Sequence, residues 1–246
     1  MIERQLDIPT PDGVCSTFVV HPERDGPHPA VLFLMDAPAI REELRDMARR
    51  LACVGYYVML PNLYYRSETR ELWPFPMDPE APERKRMFEL MHSLTIPLVM
   101  SDVGAMLDFA RTDKAADDRR VGVVGYCMSG PFAISAAGAF PTQVKAAASI
   151  YGVRLMTDTA DSPHLAARRA EAELYIACAE SDHWFPVELV APLAADLAAN
   201  GVDAEVELYP GVEHGFAFPL RPIYHKPSAE RHWSRLFSLF GRRLGV

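Results

Sequence analysis

One ten-residue segment constrains this chain more than any other: Val121-Gly122-Val123-Val124-Gly125-Tyr126-Cys127-Met128-Ser129-Gly130. A short apolar strand over Val121–Val124 runs into a turn of small residues, and the spacing predicts a helix over Pro131–Ala139. Gly125 stands two residues before Cys127, and Ser129 and Gly130 stand two and three after it. Small residues there let a strand and the helix that follows it approach closely. The side chain between them is lifted above the end of the strand, as in a nucleophile elbow. The helix aims its N-terminal partial positive charge at the sulfur and favours a thiolate. Read locally, the same segment also fits a buried cysteine packed as a small hydrophobe in a tight turn. The choice rests on what the remaining residues supply.

The chain has 246 residues, 49% of them apolar, which is enough for one sizeable core. The formal net charge is −8, with acidic and basic residues interleaved. That disfavours a nucleic-acid or anionic-membrane partner, although one local arginine can still recruit an anionic small molecule. The segment Met1–Asp7 has no signal-like apolar core, and no run of about 18 apolar residues is present. Cys15, Cys53, Cys127 and Cys178 are scattered, with neither CxxC pairs nor metal-ligand spacing. These features predict a reduced, cytoplasmic protein with no metal and no cofactor. With no heptad repeat and no apolar surface stripe, a monomer is the default expectation.

Strands are expected over 4–8 and 14–20, joined by the turn Pro11-Asp12-Gly13, and then over 30–35 and 56–60 around a helix at 41–53. Pro74, Pro76, Pro79 and Pro82 interrupt any periodicity between Arg66 and Pro97, so 66–97 reads as an excursion carrying a short helix near 83–92. A long helix at 97–111 follows. After the elbow come strands at 146–150, 173–179 and 204–209, with helices at 187–199 and 228–243. Alternating strands and helices predict an α/β fold. It would be one domain over 1–246, with a mostly parallel central sheet covered by helices on both faces. Functional groups in such sheets gather at the carboxyl ends of the strands.

A cysteine nucleophile needs a base, and the base needs an orienting group. Asp182 lies just past the strand at 173–179, and His214 lies past the strand at 204–209. Both therefore share a rim with Cys127, in the chain order nucleophile, acid, histidine. Of the eight histidines, His21, His28, His164 and His225 read as surface or capping residues. His183 is a rival base, but it adjoins the candidate acid in one loop. Asp158 and Asp161 are rival acids in a polar loop, and Asp182 could instead cap the next helix.

Taken in order, these segments resemble the dienelactone hydrolase family of the α/β-hydrolase fold. Gly125-Tyr126-Cys127-Met128-Ser129-Gly130 is close to the family's G-Y-C-x-G-G. Pro61-Asn62-Leu63-Tyr64-Tyr65-Arg66 is similar to its P-D-L-Y-x-R. Ser149-Ile150-Tyr151-Gly152, Asp182 with Pro186, and His214-Gly215-Phe216 match its later loops. The resemblance implies hydrolysis of a small-molecule carboxylic ester or enol-lactone through Cys127, His214 and Asp182. The backbone N–H groups of Met128 and Ala37 would form the oxyanion hole. It also draws Asp36, Arg66 and Tyr151 into substrate binding or thiol activation.

Two departures stand out. The family has a glutamate where this chain has Asp36, one methylene shorter. The family's second carboxylate-binding arginine, four residues after the histidine, is here Phe218, with Arg221 three residues further on. The shorter Asp36 reaches less far toward the sulfur, and the loss of the second arginine favours a less charged or more aromatic ester. Trp73, Phe75, Trp184, Phe216 and Phe218 are aromatic candidates for the pocket rim or for the core. A broad carboxylesterase or thioesterase on the same fold, and a non-catalytic ligand-binding or thiol redox-sensing protein, are the alternative readings.

Overall fold

The computed structural model describes residues 1–67, 69, 71–72, 78 and 80–245. The excursion prolines Pro74, Pro76 and Pro79, and the rim candidates Trp73 and Phe75, lie outside the described residues. The chain separates into two compact units, Met1–Asp118 and Arg119–Val246.

In the first unit, β1 (Ile2–Thr10) pairs antiparallel with β2 (Gly13–His21). Gly13, in the turn between them, has φ 143°, a conformation that favours glycine. β2 pairs antiparallel with β4 (Tyr57–Pro61), and β4 pairs parallel with β3 (His28–Leu34). The continuous apolar run of β3 is buried almost throughout, as a strand covered on both faces requires. Helices α1 (Glu42–Ala52), α2 (Pro82–Ser93) and α3 (Ile96–Thr112) complete this unit. The Thr95 hydroxyl caps α3 by accepting from the Leu98 N–H at 3.3 Å.

The second unit is built on β5 (Ala116–Tyr126), β6 (Val144–Ile150), β7 (Glu173–Ser181) and β8 (Ala204–Glu213), each parallel to the next. The registers Tyr126–Ile150, Ile150–Ala177 and Ser181–Glu213 bring four carboxyl ends to one rim. Helix α4 (Gly130–Ala139) follows β5, and nearly all of it is buried, as its unbroken apolar sequence requires. A short helix α5 (Pro163–Ala167) packs on α4. The remaining helices are α6 (Val190–Ala199) and α7 (Lys226–Leu244). Gly122 lets α7 lie close, because a Cβ there would stand 2.9 Å from Leu244 and 3.1 Å from Phe240.

The elements match the α/β expectation, with informative differences. β5 starts at 116 and β8 runs to 213, further than their apolar cores suggested. α5 was not anticipated, because five residues carry no readable period. The helix expected from 187 opens with a 3-10 turn at Val187–Leu189. His21, His28 and His164 are buried rather than superficial. His21 stacks on Tyr57, and the His164 ring bonds the Ser162 hydroxyl at 2.7 Å, so packing and local hydrogen bonds offset their desolvation.

Candidate active site

The elbow is a short 3-10 turn, Cys127–Ser129, between β5 and α4. Cys127 has φ 54°, a left-handed conformation that costs a non-glycine residue roughly 1–2 kcal/mol. The surroundings impose it. A Cβ on Gly125 would lie 2.0 Å from the Ser129 carbonyl oxygen, and one on Gly130 would lie 2.4 Å from the Cα of Gly152. Only glycine lets strand, turn and helix approach this closely. Gly125→Ala is therefore expected to destabilise the fold by about 3 kcal/mol, read as a lower urea midpoint, because backbone and not a flexible side chain must move.

The later strands deliver the partners. Asp182 follows β7, and its side chain is almost fully buried. Its Oδ1 accepts from the Trp184 N–H at 2.8 Å and from the Phe185 N–H at 3.4 Å, while its Oδ2 meets Nδ1 of His214 at 2.7 Å. The carboxylate thus closes its own loop with one oxygen and orients the imidazole with the other. His214 follows β8, with its Nε2 buried and lacking any partner of full hydrogen-bonding geometry. Burial alone would lower the imidazole pKa. Charge at Cys127 and hydrogen bonding to Asp182 and Cys127 outweigh it and raise the pKa to about 9. Cys127, Asp182 and His214 are therefore brought together. The rivals are not placed as well: His183 is exposed and packs on Trp184, and Asp158 and Asp161 sit at a polar surface.

Tyr151 follows β6 at φ 39° and is buried, its ring edge-on to His214 at 5.2 Å and to Phe216 at 5.2 Å. Phe216 and Phe218 belong to the core, and Trp184 is half-buried. The Arg221 guanidinium lies over Phe218 at 4.9 Å. Its Nη1 stands 2.8 Å from where a Cβ on Gly215 would project, and Gly215 has φ 100°. Conformation favours glycine beside His214, whereas the space around it is bounded by side-chain atoms of Arg221 and Ile223 that can move aside.

In the first unit, Asp36 follows β3 and is completely buried. Arg41 binds both of its oxygens, at 2.6 and 3.3 Å, and spends its other donors on Glu43 at 2.7 and 2.9 Å and on the Ala39 carbonyl at 3.3 Å. Ala39 has φ 67°, and its N–H returns to the Asp36 carbonyl at 3.1 Å. The Ala37 carbonyl accepts from the Tyr64 hydroxyl at 3.0 Å. This turn is rigidly held, and Arg41, its keystone, carried no signal in the sequence beyond an ordinary helix-start position. Arg66 is engaged by Asp12 at 2.7 Å and by Asp102 at 2.7 and 2.9 Å. Among the described residues no group of three or more His, Cys, Asp or Glu side chains could hold a metal ion. No single helix among them is long and apolar enough to cross a membrane.

Comparison with known proteins agrees with this architecture. A protein from Klebsiella pneumoniae described as "Putative Dienelactone Hydrolase" superposes with a TM-score of 0.86 at 26% identity, covering 98% of both chains. That likeness places the chain in the α/β-hydrolase class. The family model of the dienelactone hydrolase family matches residues 15–244, so the chain belongs to that family and is a hydrolase. A "Putative carboxymethylenebutenolidase" of Methylorubrum extorquens is 29% identical over 251 residues, covering all of this chain and 82% of that protein. One of the same description from Escherichia coli K12 is 29% identical over 225 residues, 89% of this chain and 78% of that one.

Proposed function

We propose that this chain hydrolyses a small carboxylic ester or enol-lactone, with Cys127 as nucleophile, His214 as acid and base, and Asp182 as orienter. One observation carries the reading: a left-handed Cys127 at the end of β5 acts on a histidine that Asp182 holds by Nδ1. Residues 1–246 are taken as one hydrolase domain, and the relatives named as carboxymethylenebutenolidases support the lactone as the type substrate.

In this mechanism the resting pair is thiolate and imidazolium. The sulfur attacks the carbonyl carbon, and the π electrons move to oxygen. The Met128 N–H and, by the family resemblance, the Ala37 N–H bind that oxyanion. Collapse breaks the carbon–oxygen bond, and the leaving oxygen takes the His214 proton, giving a thioester. The neutral imidazole then removes a proton from water, hydroxide adds to the thioester, and the carboxylic acid leaves as thiolate and imidazolium are restored. A thiolate is easily expelled from the tetrahedral intermediate, so the reaction goes forward only when the other leaving group is at least as stable. An enolate meets that condition and an amide nitrogen does not, which favours lactones and activated esters over peptides. The same resemblance gives Asp36, Arg66 and Tyr151 roles in substrate binding or activation. The ion pairs of Arg66 with Asp12 and Asp102 would have to open for Arg66 to bind a substrate carboxylate.

Initial rates on a dienelactone and on p-nitrophenyl acetate, for wild type and Cys127→Ala, test this reading. Cys127-dependent turnover of the lactone is the expected result. Cys127-dependent turnover of the activated ester alone would instead favour the broad-esterase alternative. Turnover of both that survives Cys127→Ala would overturn the nucleophile.

The pH dependence has a definite sign. An imidazolium pKa raised to about 9 keeps the proton on His214 at neutral pH and releases it as pH rises through 9. With a poor leaving group, such as an alkyl ester, kcat/KM should fall above pH 9. With p-nitrophenolate, which departs without a proton, that alkaline limb should be absent.

A further inference from the structure

The turn after β3 carries a backbone donor without an acceptor. Ala37 is buried, yet among the described residues its N–H makes no hydrogen bond. Orphaned buried N–H groups are rare and call for a reason. This N–H belongs to the same planar peptide as the Asp36 carbonyl, which accepts from the Ala39 N–H at 3.1 Å. Across a trans peptide the two groups point in opposite directions, so holding the carbonyl also aims the N–H.

Arg41 grips this turn at both ends. Its Nη1 donates to Asp36 Oδ1 at 2.6 Å and to the Ala39 carbonyl at 3.3 Å, and its Nη2 donates to Asp36 Oδ2 at 3.3 Å. Nε and Nη2 reach Glu43 Oε2 at 2.9 and 2.7 Å. All five guanidinium N–H groups are thereby used, a pattern that the point charge of a lysine cannot reproduce. The Tyr64 hydroxyl adds a further anchor, donating to the Ala37 carbonyl at 3.0 Å. Asp36, Arg41 and Glu43 are all buried, and desolvation makes such a cluster a poor source of stability. What it supplies is fixed geometry.

We propose that Arg41 and Asp36 are positioning residues: their buried ion pair aims the Ala37 N–H at the oxyanion, and Asp36 does not act as a base for the thiol. This deepens the function proposed above and rests on its assignment of the Ala37 N–H. A preorganised donor acts where charge develops, on the carbonyl oxygen. The pair therefore affects attack on an acyl carbon and leaves the ionisation of Cys127 to His214.

The test sets two reactions of Cys127 side by side. Hydrolysis of p-nitrophenyl acetate needs a thiolate and an oxyanion donor. Alkylation by iodoacetamide, in which the sulfur displaces iodide from a saturated carbon, needs the thiolate alone. In Asp36→Asn and Arg41→Lys, shown to be folded by urea melts, kcat/KM for the ester should fall about 10²-fold. Alkylation of the Cys127 peptide, read by mass spectrometry, should keep its wild-type rate. Tyr64→Phe leaves the ion pairs intact and should lower kcat/KM about 5-fold with alkylation again unchanged. It carries the test if the buried-pair variants do not fold. An unchanged ester rate in the folded variants would overturn the proposal. So would alkylation that falls in step with the ester rate, which would return Asp36 to thiol activation. Cys127→Ala distinguishes the other failure: if it hydrolyses the ester normally, the nucleophile reading falls first, and the Arg41 proposal with it.

Discussion

Cys127→Ala should lower the turnover of any ester substrate by about 10⁴-fold or more, leaving only what binding and the oxyanion donors supply. The expectation follows from the cost of the elbow. The fold holds a non-glycine residue at φ 54° and excludes a Cβ at Gly125 and at Gly130 in order to do so. Strain of this kind persists where the surroundings over-determine it, and it presents one side chain, the thiol, to one partner, His214. Cys127→Ser is the more discriminating change. A hydroxyl is not ionised by a neighbouring imidazolium and must instead give up its proton during attack, so a loss of about 10²-fold or more is expected. Steady-state rates on p-nitrophenyl acetate, alongside a urea melt to confirm folding, check both. A serine variant as fast as wild type would contradict a thiolate mechanism.

Asp182→Asn should cost about 10²–10⁴-fold in kcat with little change in the fold. The Oδ1 bonds from Trp184 and Phe185 can be kept by the amide oxygen. The Oδ2 position facing Nδ1 of His214 then becomes an NH₂ donor against a ring N–H. Relief of that clash requires a neutral ring with its proton on Nε2 and Nδ1 accepting, and the substitution itself removes the negative charge that helps hold the imidazolium. The alkaline limb near pH 9 should therefore move down in this variant. A pH–rate profile on an alkyl ester reads that shift. A loss of kcat with an unmoved limb would assign Asp182 to loop closure rather than to His214.

Much of this was legible in the sequence. The elbow announced itself because its constraints are local: an apolar strand, glycines at fixed offsets and a following apolar helix. Asp182 and His214 could be placed because each lies within a few residues of the end of a strand whose apolar run is easily read. The histidines His21, His28 and His164 were misread because their burial depends on partners distant in sequence or on a short helix with no period. Arg41 escaped notice for a similar reason. An arginine at a helix start looks like any solvated charge until its carboxylates, Asp36 and Glu43, are seen to be buried around it.

The central claim is a covalent bond between the Cys127 sulfur and the acyl group. Rapid acid quench during turnover of p-nitrophenyl acetate, followed by peptide mass spectrometry, measures it directly. One acetyl group on the peptide containing Cys127 is the expected result, appearing with the p-nitrophenolate burst, decaying with turnover and prolonged in a His214→Gln variant. Full turnover with Cys127 unmodified at every quench time, and the label absent or on another residue, would contradict it.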